Sequence, residues 1–335
     1  MSLRQCINAP GSLERRDFIR SLTYSMDDQF SGENAHASLT HANPVHDDDG
    51  FRTNALALAS PSKVAADAED DSKADYALKR DYAASVRLNC QFLLWKAELG
   101  FNLHPSIAIP SSGSRVADLG TGTAIWLLDL KQSLPDSQLD GFDISLQQCP
   151  PSEWLPDLVS LTNWDIFSPV PASLICQYDV VHIRLALLVV RGNDPRPILR
   201  NALVMLKPDG YVQWDELNVF GAFVSSTKSS IGTEEFQRAQ ELTDLGTLEW
   251  VRGLRSIVEE CGFEDAREYK YGCNLSLAKY YQDMQFLVME EEAANASSMQ
   301  RRNAVHRAIN FTYEESKKGI ARCTPKIVVV AKKPL

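Results

Sequence analysis

Asp118-Leu119-Gly120-Thr121-Gly122-Thr123-Ala124 is the part of the chain best suited to hold a charged ligand. It follows a short apolar run and opens a helical one. Glycines at 120 and 122 let the backbone approach a bound group closely, and the helix behind them points N–H donors at an anion. Asp143 closes the next apolar run about 20 residues on, where an acid can accept hydrogen bonds from ribose hydroxyls. Asp165-Ile166 closes a third run, where the acid can meet an adenine amino group and the isoleucine its face.

Two ligands compete for this loop. A dinucleotide wants G-x-G-x-x-G/A, and that alignment puts Ile125 at the last position. The pattern D-x-G-x-G-x-G, with Ala124 as its last member, is the loop of class I S-adenosylmethionine (SAM) methyltransferases. Methyl transfer from a sulfonium needs binding, alignment and exclusion of water before it needs a catalytic side chain. A base helps only when the acceptor must lose a proton. His182, at the end of Val180-Val181-His182-Ile183-Arg184, is the candidate catalytic residue. A packed, hydrogen-bonded role shaping the pocket is the commoner one for such a histidine. His306, Asp215 and Glu216 are further candidates, with surface position or pocket shaping as the competing roles.

The elements that must position these residues alternate. Residues 114–135 read as strand, turn and helix, 138–145 and 158–167 as strands, and 178–190 as a strand running into a helix. Residues 194–218 read as helix, Pro-Asp-Gly turn and strand, 250–271 as helix, Cys-Gly break and strand, and 325–333 as a closing strand. That rhythm predicts a parallel-dominated α/β sheet. Before it, Tyr82, Val86, Leu88, Phe92, Leu93, Trp95 and Leu99 fall largely at helical spacing, which predicts one or two amphipathic helices ending at Pro105.

Composition bounds the rest. The chain has 335 residues and a net charge of −10, which speaks against phosphate-backbone binding. Residues 1–75 supply six of those ten charges and lack periodic apolar positions, so they read as a disordered acidic tail. Asp47-Asp48-Asp49 is a solvated charge run there rather than a metal site. Seven unpaired-looking cysteines, at 6, 90, 149, 176, 261, 273 and 323, suit a reducing, cytoplasmic setting with no metal. The N-terminus has no signal-like apolar stretch and no apolar run approaches membrane-spanning length, so neither a secretory signal nor a transmembrane helix is expected.

Residues 76–335 resemble the fungal class I methyltransferases of secondary metabolism, a group that includes LaeA-like regulators. The resemblance rests on Ser85-Val86-Arg87-Leu88-Asn89 with Gln91, Leu103-His104-Pro105-Ser106-Ile107, Val116 to Thr123 with Ile125 to Leu130, Leu139-Asp140-Gly141-Phe142-Asp143-Ile144-Ser145, Tyr178 to Arg184, and Leu206 to Glu216. It implies a Rossmann-like seven-stranded sheet with a reversed last strand, a helical N-terminal cover over 76–110, and insertions at 219–249 and 272–322 that set the substrate. It implies SAM held by Asp118, Gly120, Gly122, Asp143, Ile144, Asp165 and Ile166, with Arg87 pairing either the SAM carboxylate or a surface acid. The group carries Gly where this chain has Ala124 and Asp209.

The activity so implied is methyl transfer to an O, N or S atom of a small secondary metabolite. A regulator without enzymatic action and a SAM-binding cyclase are the alternatives on the same fold. Nucleic-acid bases are disfavoured as acceptors, because His182-Ile183-Arg184-Leu185 stands where amine-methylating enzymes keep Asn/Asp-Pro-Pro-aromatic. The aromatic set Tyr269, Tyr271, Tyr280, Tyr281, Phe286 and Phe311 suits an apolar substrate pocket, an ordinary core or a homodimer contact.

Overall fold

The computed structural model describes residues 78–227, 233–240, 248–296 and 298–335; the acidic tail expected at 1–75 lies outside them. The first element is helix α1 (Tyr82–Leu99), capped by Asp81, whose side chain accepts from Ala84 N. Strands β1 (Arg115–Leu119), β2 (Gln138–Asp143), β3 (Val159–Asn163) and β4 (Tyr178–Arg184) follow, with helix α2 (Ile125–Ser133) between the first two. Helix α3 (Arg196–Met205) leads into the long strand β5 (Leu206–Leu217). Helix α6 (Leu254–Glu260) leads into β7 (Glu264–Tyr271), and β9 (Lys326–Lys332) closes the chain.

These strands form one seven-stranded sheet in the order β3-β2-β1-β4-β5-β9-β7. The pairs among β3, β2, β1, β4 and β5 are parallel, and β9 runs antiparallel to both neighbours. This is the sheet that the resemblance implies, with the reversed strand in the expected place. The chain leaves β1 toward β2 on one side and returns as β4 on the other. The carboxyl ends of β1 and β4 therefore diverge into a crevice, the usual ligand position of an open α/β sheet.

Strand alternation divides the core. Val116, Leu139 and Val180 face α2 and Phe92 of α1. Ala117, Val181 and Trp214 face α3 and α6. Gly141 is required by close approach: a Cβ there would lie 2.6 Å from Leu161 Cδ2 and 2.8 Å from Leu127 Cδ1.

The two insertions meet in space. Between β5 and α6 lie β6 (Phe223–Ser226), α4 (Thr233–Gln240) and α5 (Glu249–Arg252); between β7 and β9 lie α7 (Ala278–Asn295), α8 (Met299–Lys317) and β8 (Ile320–Cys323). β6 pairs with β8, and α4 packs on α8. Phe286, Met289, Ala293, Val305 and Ile309 fill the seam between α7 and α8. Two segments far apart in sequence thus build one cap, and α7 lies against α1.

Three local expectations are corrected. The N-terminal helix ends at Gly100, whose φ of 82° and N–H bond to Lys96 O close it before Pro105 is reached. It buries Ala84, Arg87, Phe92, Leu94 and Trp95, while Tyr82, Val86 and Leu93 are exposed. A buried charge has displaced the simple apolar stripe, and the cause is α7, described below. Residues 185–190 form no helix after β4; Leu185 has φ 54°, and Ala186 N donates to Glu216 Oε2 instead of continuing a ladder. Among the described residues no helix is long and apolar enough to cross a membrane.

Candidate functional site

A cavity of about 490 Å³ opens at the carboxyl ends of β1 to β4. Its floor is the Asp118–Thr123 turn. Gly120 and Gly122 adopt φ of 75° and 59°, which only glycine takes at little cost. Gly120 N and Thr121 N both donate to Phe142 O, at 2.8 and 3.0 Å, tying the turn to β2. Gly122 N donates to Asp143 Oδ2 at 2.9 Å, and Ser145 N to its Oδ1 at 3.1 Å. Burial raises the Asp143 carboxyl above the ordinary aspartate range, against these two N–H bonds. Asp143 therefore braces the turn and closes β2 at once.

Ala124 completes the turn with φ 61° and is fully buried. Its departure from glycine was expected to add a methyl in the loop or the strand packing. The structure shows a second effect: an L-residue held in the left-handed region, a strain of roughly 1–2 kcal/mol. Asp209 stands at φ 61° in the turn within β5, so both departures from the group fall where glycine is at home.

Asp165 lies just past β3. Its Oδ1 accepts from Phe167 N at 3.0 Å, and Arg191 Nη1 is 3.8 Å from its Oδ2. Ile144, Ile166 and Phe167 give that end of the cavity an apolar lining, and Leu185–Val190 extend it. Asp118, Gly120, Gly122, Asp143, Ile144, Asp165, Ile166, His182 and Arg87 all line this one cavity. These nine candidates are thus brought together, whereas Asp215, Glu216 and His306 do not line the cavity.

His182 is 1% exposed and held on three sides. Nδ1 lies 2.7 Å from Asp118 Oδ1 and Nε2 3.4 Å from Asp215 Oδ2. Trp126 stacks on the ring, centroids 3.7 Å apart and planes 1° from parallel. Both nitrogens are committed to carboxylates, the geometry of a packed, orienting histidine. Asp215 also receives Arg184 Nη2 at 2.7 Å and Gln213 Nε2 at 2.8 Å. Burial would raise this carboxyl, but the Arg184 charge and His182 outweigh it and hold it below the ordinary range.

Arg87 is 3% exposed, so the surface-acid role is replaced by a buried one. Its Nε donates to Glu291 Oε1 of α7 at 2.8 Å, while its Nη2 is buried without a partner among the described residues. Glu291 explains why α1 turns a charge inward. Sequence reasoning missed Glu291 and the roof residues Met284, Gln285 and Val288, because nothing local links α7 to a loop some 160 residues earlier. The aromatic set does not line this cavity: Tyr269 stacks on His104, Phe286 packs against Tyr313, and Tyr280 is exposed. His306 is half-exposed beside Glu290, away from the cavity.

Relatives sharpen the picture. No family model matches the chain. It is 32% identical over 158 residues to the methyltransferase grgD of a Penicillium species, covering 45% of this chain and 55% of that one. It is 32% identical over 143 residues to the N-methyltransferase tcpN of Claviceps purpurea, covering 42% and 51%. The secondary metabolism regulator LAE1 of Hypocrea atroviridis is 26% identical over 178 residues, covering 51% and 50%. The chain resembles the fungal methyltransferases of secondary metabolism. It spans about half the length of the curated relatives it matches. The likeness to that group was legible from the Gly120 loop and the strand ends that flank it.

Proposed function

We propose that the chain transfers a methyl group from SAM to an O, N or S atom of a small secondary metabolite. The observation that carries this reading is the left-handed Gly120–Gly122 turn, braced by Asp143 and opening α2 into the 490 Å³ cavity. The residues present fit the cofactor. Acids at the ends of β2 and β3 suit ribose hydroxyls and an adenine amino group, Ile144 and Ile166 suit a flat base, and the unpartnered Arg87 Nη2 suits a carboxylate. When bound, SAM supplies an electrophilic methyl on a sulfonium.

The chain's own residues then have binding and alignment to do. Asp143 and Asp165 hold one end of the ligand, and Arg87 the other, bridging α1 to the cap through Glu291. His182 fixes Asp118 and Trp126 at the floor rather than taking a proton. Leu185–Val190 exclude water, which strengthens every polar contact inside. The acceptor is a small molecule and not a nucleic acid, given His182-Ile183-Arg184-Leu185 at the end of β4. A cytoplasmic setting is part of this reading, and the six described cysteines are free of disulfides. The catalytic unit runs from residue 76 to 335, so removing residues 1–70 leaves SAM binding unchanged.

Incubation with isotopically labelled SAM and a fungal metabolite extract, read by mass spectrometry, tests the reading. A product heavier by one labelled methyl supports it; SAM bound but never consumed sinks it. A second reading, a regulator directed at proteins, is favoured by the identity with LAE1. It expects stable co-purification with a protein partner and no labelled small molecule.

A further inference from the structure

The main cavity has a neighbour across its roof. A smaller chamber of about 50 Å³ lies beyond it, and the two share Gln91, Leu217, Met284 and Gln285. The chamber belongs to the ends of β5 and β9, through Leu217 and Lys326, and to the cap. The residues proposed for SAM belong instead to the ends of β1, β2 and β3. The two spaces therefore sit on opposite sides of β4.

The chamber's polar groups are unevenly satisfied. Lys326 and Glu98 form an ion pair inside it, their side chains 2% and 4% exposed. Glu98 Oε1 also accepts from Asn274 N, and Lys326 Nζ lies 4.3 Å above the Tyr281 ring. Burial and the nearby Glu98 carboxylate keep the Tyr281 phenol protonated. The two charges compensate each other, so the chamber offers no net charge to an ionic ligand. What remains are three donors: the Tyr281 hydroxyl, which lies beside Glu98 with no hydrogen bond of good geometry among the described residues, and two N–H groups. Trp95 Nε1 and Gln282 Nε2 are buried without a partner among the described residues, each on a side chain 1% exposed. Gln282 Oε1 accepts from Arg322 N at 3.0 Å, which fixes the opposite edge of the same amide. Buried donors with nothing to accept from them are rare in folded proteins, because each forfeits its hydration.

We propose that this chamber is the recognition subsite of the methyl acceptor, and that it takes an uncharged carbonyl oxygen, of an amide, lactam or ester, from Trp95 Nε1 and Gln282 Nε2. The space suits a few waters or one small functional group. Only the carbonyl end enters, and the rest of the acceptor stays in the main cavity. An ionic group would have to break the Lys326–Glu98 pair to be neutralised. The assignment of this space to the acceptor rests on reading the main cavity as the SAM cleft.

Saturation-transfer NMR on the full chain, with and without S-adenosylhomocysteine, tests this with 2-pyrrolidone as carbonyl probe and cyclopentane as its hydrocarbon counterpart. 2-Pyrrolidone is expected to bind the native chain, and more tightly than cyclopentane. Trp95→Phe should weaken it at least tenfold by deleting one donor. Gln282→Glu keeps an acceptor for Arg322 N and turns the second donor into an acceptor; it should weaken 2-pyrrolidone similarly and leave cyclopentane unchanged. This second variant serves where the tryptophan change disturbs packing. Equal 2-pyrrolidone binding by all three proteins, or none by the native chain, overturns the proposal and leaves the chamber a water site. Calorimetric titration of S-adenosylhomocysteine reports on the main cavity separately. If it fails to bind, the cofactor reading falls, while the fragment comparison still decides what the chamber accepts.

Discussion

Asp215 and Glu216 are neighbours on β5, both fully buried, and the two faces of the strand treat them in opposite ways. Asp215 points to the face shared with His182 and Gln213, where Arg184 and His182 hold it ionised. Glu216 points to the face of Trp214 and the main core. Its Oε2 accepts from Ala186 N and Trp214 Nε1 and its Oε1 from Leu217 N, yet burial pushes it up to about 8. A cation within reach decides the difference: three N–H dipoles do not offset desolvation, whereas a guanidinium does. The face under the cavity is thus built from compensated charge, and the opposite face from apolar packing around a neutral acid that ties down the Leu185–Val190 loop.

That contrast can be broken most severely at Asp215. Asp215→Ala strands the Arg184 guanidinium and should cost ~3–5 kcal/mol in urea unfolding, far more than Asp215→Asn. Glu216 sharpens the contrast through pH. Between the ordinary glutamate value and about 8 only the folded state holds its proton, so stability falls as pH rises through that window and the loss is complete above it. The Glu216 share of the slope should be roughly 1 kcal/mol per pH unit and should be lost in Glu216→Gln, followed by denaturation at pH 5 to 9. Stability that rises over that range in the native chain would mean a carboxylate on both faces.

On the cavity side, Asp143→Ala removes the brace of the Gly120 turn along with its proposed ribose contacts. SAM should bind at least tenfold more weakly by calorimetry, a loss of ~1.5–3 kcal/mol. Unchanged affinity would leave Asp143 a structural cap and nothing more. The smallest effect is expected at Ala124→Gly, which relieves the left-handed strain. It should raise stability by about 0.5–1 kcal/mol, or leave it level where the glycine's extra freedom in the unfolded chain cancels the gain.

Much of the sheet was legible because its signals are local. Apolar runs of strand length end in acids at 143 and 165, glycines at 120 and 122 mark the turn, and Pro208-Asp209-Gly210 marks the break in β5. The end of α1 was misplaced because Gly100 stops a helix sooner than Pro105 does. The 185–190 run misled for another reason. Its apolar composition suits a helix, but its backbone is held by Glu216 across the sheet, a contact no window of neighbouring residues contains.

The sequence by itself determined the alternating strands, the glycine turn and the candidate cofactor residues, since each is encoded within about 20 residues and obeys local backbone chemistry, while the reversed closing strand was implied only by the family resemblance. The tertiary structure alone decided what stands opposite them. Glu291 turned Arg87 from a surface charge into a buried link, and α7 roofed the cavity. Insertions on either side of β7 joined as β6 and β8, and Glu98, Lys326, Trp95 and Gln282 met in one chamber. Those partners lie tens to hundreds of residues apart, and only the burial of charge and apolar surface in the folded chain brings them into contact.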